Sequence, residues 1–224
     1  MKTILKYFTG LTDTQQQQLA QLDALYREWN AKINVISRKD IDNLYEHHVL
    51  HSLAIARAYR FQPGTKILDF GTGGGFPGIP LAIVLPECQF RLIDGTGKKI
   101  RVAQEVISAI GLKNCEAVHL RGEDEHGLYD FVVSRAVMPL PDLLKIVRKN
   151  ISCEQRNAMA NGVICLKGGQ IEAETAPFRR TVEIDDISRW FEEEWFKEKS
   201  VVYVPVGLRL SALSATCCRR IVTW

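Results

Sequence analysis

The sequence contains no C-x-x-C pair and no His/Cys spacing of a metal site, although it carries six cysteines (Cys88, Cys115, Cys153, Cys165, Cys217 and Cys218). Neither a zinc module nor a disulfide framework is indicated, so free thiols in a reducing compartment are expected, and no metal. No apolar run is long enough to cross a bilayer. The N-terminal MKTILKYFTGLTD holds lysines but no sustained apolar segment. No signal peptide is evident, and a cytoplasmic protein without membrane contact is expected. An excess of charge of one sign is also missing: 29 Lys+Arg against 26 Asp+Glu leave +3. That mild basicity is compatible with an RNA partner but does not identify one. Internal repeats and low-complexity tracts are absent, apart from the short Gln15–Gln18 run. What remains is an ordinary composition, 46% hydrophobic and 25% charged, over 224 residues. This suits one α/β domain plus a small extension.

The most informative stretch is Thr65–Pro80, TKILDFGTGGGFPGIP. Ile67, Leu68 and Phe70 suit a buried strand, a glycine turn follows, and Ile79–Leu85 suits a helix. Such a turn lets backbone approach a ligand with no Cβ in the way. Amides at the helix start favour an anionic or polar ligand group. The dinucleotide fingerprint G-x-G-x-x-G fails, because its third glycine would fall on Phe76. A glycine turn serving only strand–helix packing is the bland alternative. The pattern present is D-x-G-x-G-x-G, on Asp69, Gly71, Gly73 and Gly75. It resembles motif I of the S-adenosylmethionine-dependent methyltransferases. With the extension G-F-P-G-I-P it looks like the RsmG (GidB) family. That resemblance implies methyl transfer from S-adenosylmethionine to N7 of a guanine in the 530 loop of bacterial 16S rRNA.

Before this stretch, Thr12–Ile33 reads as an amphipathic helix, with Thr12 and Gln15 as a capping box. Asn30–Lys39 is a connector, and Asp40 is expected to cap a second helix ending before Pro63-Gly64. The family reads roughly N-L-T-x-(I/V)-R-D and R-H-I-L-D-S here. Asn34-Val35-Ile36-Ser37-Arg38 matches loosely, and the second motif matches at His48, Leu50 and Ser52, with His47 and His51 as departures. After it, Gln89–Asp94 reads as the second strand. Asp94 stands about 20 residues past the glycine turn, where a carboxylate can accept ribose hydroxyls. Gly95-Thr96-Gly97-Lys98-Lys99 then opens a helix, and cations at a helix start are understandable if phosphate is nearby or the face is merely solvated. Asn114–Leu120 gives a third strand, followed by Arg121-Gly122-Glu123, where the family has Arg-(Ala/Val)-Glu. By resemblance Gly122 and Glu123 border adenine, with a wall thinned by Gly122. Tyr129–Val133 gives a fourth strand ending in Ser134-Arg135-Ala136, where the family has S-R-A. Neither the N/D-P-P-Y/F of amino-directed enzymes nor a Pro-Cys nucleophile occurs there. Pro139–Lys149 reads as a helix, and Gly162–Lys167 as a fifth strand matching L-K-G. Arg180–Asp185 and Ser200–Val206 are two last strands. Between them, Trp190-Phe191 and Trp195-Phe196 are expected to cover the core.

The expected fold is α/β: a class I S-adenosylmethionine-dependent methyltransferase fold. Its Rossmann-like doubly wound sheet is mostly parallel, with an antiparallel last strand and a helical N-terminal extension. The expected division is 1–62 extension, 63–206 methyltransferase domain and 207–224 unassigned tail. The resemblance assigns cofactor contacts to Asp69, Gly71, Gly73, Gly75, Phe76, Asp94, Gly95, Thr96, Gly122, Glu123 and Arg135. Arg135 also orients the reacting base and is no general base. RNA contacts fall to Asn34, Arg38, His48, Lys98, Arg121 and Lys167. The implied partner is 16S rRNA, free or within a 30S particle, and a monomer is expected. A methyltransferase for another RNA or a small molecule, and a non-catalytic RNA-binding module, stand as alternatives.

Overall fold

The computed structural model describes residues 1–206; the tail, with Cys217 and Cys218, lies outside the described residues. Two helices lead: α1 (Lys2–Tyr7) and α2 (Asp13–Lys32). The capping box forms as expected: Thr12 Oγ1 accepts from the Gln15 amide at 3.3 Å, and Gln15 Oε1 accepts from the Thr12 amide at 2.9 Å. Leu19, Leu22, Tyr26 and Asn30 fall three and four apart and form the buried stripe of α2.

The expected second helix is broken up. A 3₁₀ turn (Ile41–Asn43) leads into a π-helix (Leu44–Leu50), and only then into α3 (His51–Ala58). Asp40 does not cap it. Its carboxylate instead accepts from the rings of His47 and His48 and from the Asn43 side-chain amide, and makes no capping bond to the helix amides.

The sheet has seven strands: β1 (Lys66–Phe70), β2 (Gln89–Asp94), β3 (Cys115–His119), β4 (Phe131–Arg135), β5 (Gly162–Gly168), β6 (Glu183–Asp186) and β7 (Lys199–Pro205). Their order is β3-β2-β1-β4-β5-β7-β6. The first five run parallel; β7 runs antiparallel to both β5 and β6. Helices α4 (Gly78–Val84), α5 (Gly97–Ala109), α6 (Leu140–Val147) and α7 (Glu172–Thr175) connect them. Strand β4 starts two residues later than the sequence suggests and takes in Ser134 and Arg135, while Tyr129 makes only an isolated bridge to Ile151.

Period-2 alternation assigns the two faces of the sheet. Ile67, Phe131, Val133 and Leu166 share one core with the N-terminal helices, α4 and α5. Leu68, Phe70, Val132 and Val163 face the other core, with α6. Phe191 and Phe196 are fully buried in the first core, with Trp190 and Trp195 packed against it, so the aromatic pairs cover the core as expected. The described cysteines are free thiols, three of them buried. Among the described residues no helix is long and apolar enough to cross a membrane.

Candidate functional site

The site is built where the central parallel strands end, at the switch between β1 and β4 in the sheet order. β1 delivers Phe70 to its edge, and the chain then turns through Gly71 at φ 70° and Gly73 at φ 58°. Side chains rarely adopt such backbone, so glycine is needed there. A Cβ on Gly71 would come 2.5 Å from Val137, whereas one on Gly73 would meet nothing within 4 Å. Gly73 therefore faces open space, where a ligand has room to sit against backbone.

Asp69 braces this turn from below. Its buried carboxylate accepts from Thr72 Oγ1 at 2.5 Å and from the Gly78 amide at 2.7 Å, through one oxygen; the other has no partner. Burial pushes its pKa up to about 7. Direct ligand contact, as the family resemblance implied, is not where the structure puts Asp69. Phe76 is likewise turned inward, packed 4.8 Å from the Tyr26 ring. Both residues lie behind the turn, on the face of the sheet that carries the extension.

A cleft of about 170 Å³ opens on the other side, lined by Phe70, Gly71, Ile93, Asp94, Gly95, Leu120, Gly122 and Val137. Asp94, ending β2, accepts from the Gly73 amide at 2.9 Å and from the Thr96 amide at 2.8 Å. It thus ties the glycine turn to the start of α5 while standing at the cleft. Of the expected cofactor residues, Gly71, Asp94, Gly95 and Gly122 line this cleft, and Gly73 and Thr96 join it through Asp94. Glu123 stands in the turn after β3, its carbonyl engaged by Lys149. Sequence reasoning missed Phe70, Ile93, Leu120 and Val137. The first three are apolar residues at strand ends, and that position was the available signal.

Gly122 does not thin the wall as expected. A Cβ there would overlap the Phe70 ring, so Phe70 occupies the space a side chain at 122 would take. Apolar walls at Phe70, Ile93 and Leu120, a backbone cradle at Gly73 and a carboxylate at the rim are the chemistry that could hold a nucleoside-bearing cofactor.

Arg135 ends β4 on the opposite face from Phe70. Ser134 Oγ donates to the Phe70 carbonyl at 3.0 Å, clamping the two strand ends together. Ala136, next in line, has φ 52°, a strained backbone for a residue with a Cβ. The Arg135 guanidinium lies 5.0 Å from the Phe76 ring centroid, and one nitrogen lies 3.1 Å from His48 Nδ1. Burial pulls its pKa down to about 10, so it stays cationic at neutral pH.

The expected RNA residues divide in two. Asn34, Arg38, Lys98 and Arg121 are exposed. His48 and Lys167 are interior. Lys167 Nζ donates to the Met138 carbonyl at 2.9 Å and to Glu174 at 2.8 Å, holding the loop after β4 against α7. The connector also touches the glycine turn, since a Cβ on Gly74 would stand 2.8 Å from Val35.

Comparison with known proteins agrees with this geometry. The family model described as GidB, rRNA small subunit methyltransferase G, matches residues 15–199. The chain is 64% identical to the ribosomal RNA small subunit methyltransferase G of Bacteroides thetaiotaomicron over 203 residues, 91% of this chain and 98% of that one. It is 60% identical to the Bacteroides fragilis protein of that name, over 92% of this chain and 100% of that one. Among solved structures it resembles a SAM dependent methyltransferase from Aquifex aeolicus. That match has a TM-score of 0.53 at 15% identity, covering 76% of this chain and 99% of that one, which speaks to the fold alone.

Proposed function

The chain belongs to the GidB family, rRNA small subunit methyltransferase G, and from that premise we propose that it transfers a methyl group from S-adenosylmethionine to N7 of a guanine in the 530 loop of 16S rRNA. The observation that carries the choice of atom is at the end of β4: among the described residues there, the titratable side chains are either committed to partners or fully buried, Asp69 with its one unpartnered oxygen included. His48 has both ring nitrogens committed, to Asp40 and Arg135, and Asp69 is sealed beneath the glycine turn. N7 of guanine has an exposed lone pair and no proton to lose, so it suits such a site. An exocyclic amine or a carbon target would call for a base.

S-adenosylmethionine supplies an electrophilic methyl on a cationic sulfur. The protein's part is alignment and exclusion of water. Asp94 and the glycine turn hold the adenosine half. Arg135 offers its remaining guanidinium donors to the guanine O6, a phosphate or the cofactor carboxylate, and orients without transferring a proton. Arg38, Lys98, Arg121 and Asn34, being exposed, are the residues we assign to the RNA backbone. We read 1–62 as an extension that serves the substrate, built onto the cofactor domain 63–206. The protein acts in the cytoplasm as a monomer on 16S rRNA, free or within a 30S particle. A small-molecule substrate is disfavoured by several exposed cations at loop ends. The test is to incubate purified protein with S-adenosylmethionine and 16S rRNA, then cleave the RNA chemically at N7-methylated guanine. A single protein-dependent cut in the 530 loop is expected; methyl incorporation without a cut would rule out N7.

A further inference from the structure

The strongest unexplained feature is the polar cluster joining the extension to the end of β4, between residues 87 positions apart in the chain. Arg135 Nη2 lies 3.1 Å from His48 Nδ1. A guanidinium has no acceptor, so Nδ1 must offer its lone pair and the ring proton must sit on Nε2. Nε2 is 2.7 Å from Asp40 Oδ2, so that proton is donated to Asp40. The other Asp40 oxygen accepts from His47 Nδ1 at 2.5 Å. The His47 carbonyl in turn accepts from Arg135 Nη1 at 3.4 Å, and the His47 ring stacks on Trp195 at 4.3 Å. The π-helix makes this possible, because it carries His47 and His48 side by side toward one carboxylate.

We propose that His48 is a positioning residue for the methyl transfer: in a hydrogen-bonded relay Asp40 fixes the ring tautomer, a task an Asn acceptor at 48 would not need, and His48 Nδ1 sets the Arg135 guanidinium from the N-terminal extension. The cluster engages two of Arg135's five N–H donors, one on the His47 carbonyl and one on His48 Nδ1, beside its contact with the Phe76 ring. Because Asp40 directly follows the Asn30–Lys39 connector, RNA seated on Arg38 and Asn34 is tied through it to the strand end that orients the base. Burial, with the Arg135 charge next, pushes the His48 pKa down to about 4, which keeps the ring in the neutral form the relay requires. His48 is therefore neither an RNA ligand nor a proton acceptor; its side chain is 13% exposed and both nitrogens are used. The proposal rests on the reading of Arg135 as the orienting group.

Two near-isosteres separate the two halves of the relay. Asn reproduces an acceptor at the Nδ1 position; Gln reproduces a donor at the Nε2 position. His48→Asn keeps the bond to Arg135, and His48→Gln keeps the bond to Asp40. Single-turnover rates with saturating S-adenosylmethionine and 16S rRNA are expected to fall about tenfold or more in His48→Gln and less than about threefold in His48→Asn. In an Arg135→Ala background, His48→Gln is expected to cost nothing further. Cooperative thermal unfolding of each variant checks that the fold is kept. Where His48→Gln does not fold, His48→Ala, which also removes the acceptor for Arg135, takes its place in the same Arg135 cycle. Equal losses for Asn and Gln, or a loss that persists in the Arg135→Ala background, would overturn the relay while leaving a slow Arg135→Ala enzyme intact. A normal rate for Arg135→Ala itself would sink the orienting role and the relay together.

Discussion

At the scale of the residue, Phe70 and Gly122 behave as one unit. The Phe70 ring fills the space that a side chain at 122 would need, and it walls the cleft. Gly122→Ala is expected to lower the stability of the S-adenosylmethionine complex by ~1–3 kcal/mol, as overpacking does. Adding Phe70→Val should restore most of that loss in calorimetry; fully additive losses would refute the coupling. Asp69 gives a prediction in pH. Its folded pKa, about 7, is raised above the ordinary 3.8. Between those values the folded state holds a proton that the unfolded state has released. Its contribution to stability is full below pH ~4 and is lost as pH rises through ~7. His48, lowered to about 4, works in the opposite direction over part of that window. The informative quantity is thus the difference between wild type and Asp69→Asn. That difference should shrink by up to ~4 kcal/mol from pH 4 to pH 7 in denaturant titrations. A pH-independent difference would mean that Asp69 is not carrying the proton.

At the scale of the element, the turn after β4 is the strained one. Ala136 adopts the left-handed backbone directly behind Arg135. Replacing it by glycine removes the Cβ penalty and adds unfolded-state freedom, for a net gain of ~0.5–1 kcal/mol in unfolding free energy. Turnover should fall at the same time, because strain at that position holds Arg135 in place. A variant with more stability and unchanged turnover would show the strain to be idle. The sequence made the start of α2 legible, since a capping box is a local device whose two partners lie three residues apart. It did not make the break at Leu44–Leu50 legible. Asp40 read as a helix cap by local rules, but two histidine rings take its carboxylate, and one of those rings is held in turn by a distant arginine. No local pattern records that arrangement.

At the scale of the whole molecule, RNA affinity should divide the cations that the sequence grouped together. Arg38, Lys98 and Arg121 are exposed, and each Ala variant should lower RNA affinity and flatten its salt dependence by about one unit of slope. Lys167 is held by Glu174 and the Met138 carbonyl. Lys167→Ala should instead leave the salt slope near wild type and lower thermal stability, since Glu174 then loses its buried partner. A one-unit loss of slope for Lys167→Ala would mean that RNA displaces Glu174.

Features that depend on neighbours in the chain are written in the sequence. These are the glycine turn after a buried strand, the carboxylate of Asp94 at the end of the next strand, the capping box and the Ser134-Arg135-Ala136 strand end. The turn and the strands follow from backbone sterics and period-2 alternation and the capping box from local hydrogen bonds, all acting over a few residues, while Ser134-Arg135-Ala136 was marked out by the family resemblance. The direction in which these groups face is set by the assembled sheet and the extension packed on it. Alternation states that Asp69 and Phe70 point to opposite sides of β1, but the sheet order and the placing of the extension decide which side is open. So Phe70 walls the cleft while Asp69 and Phe76 lie buried behind the turn. In the same way, Arg135 and Lys167 each carry a charge that burial obliges to find a partner. For Arg135 that partner came from an element 87 residues away, brought alongside only by the fold.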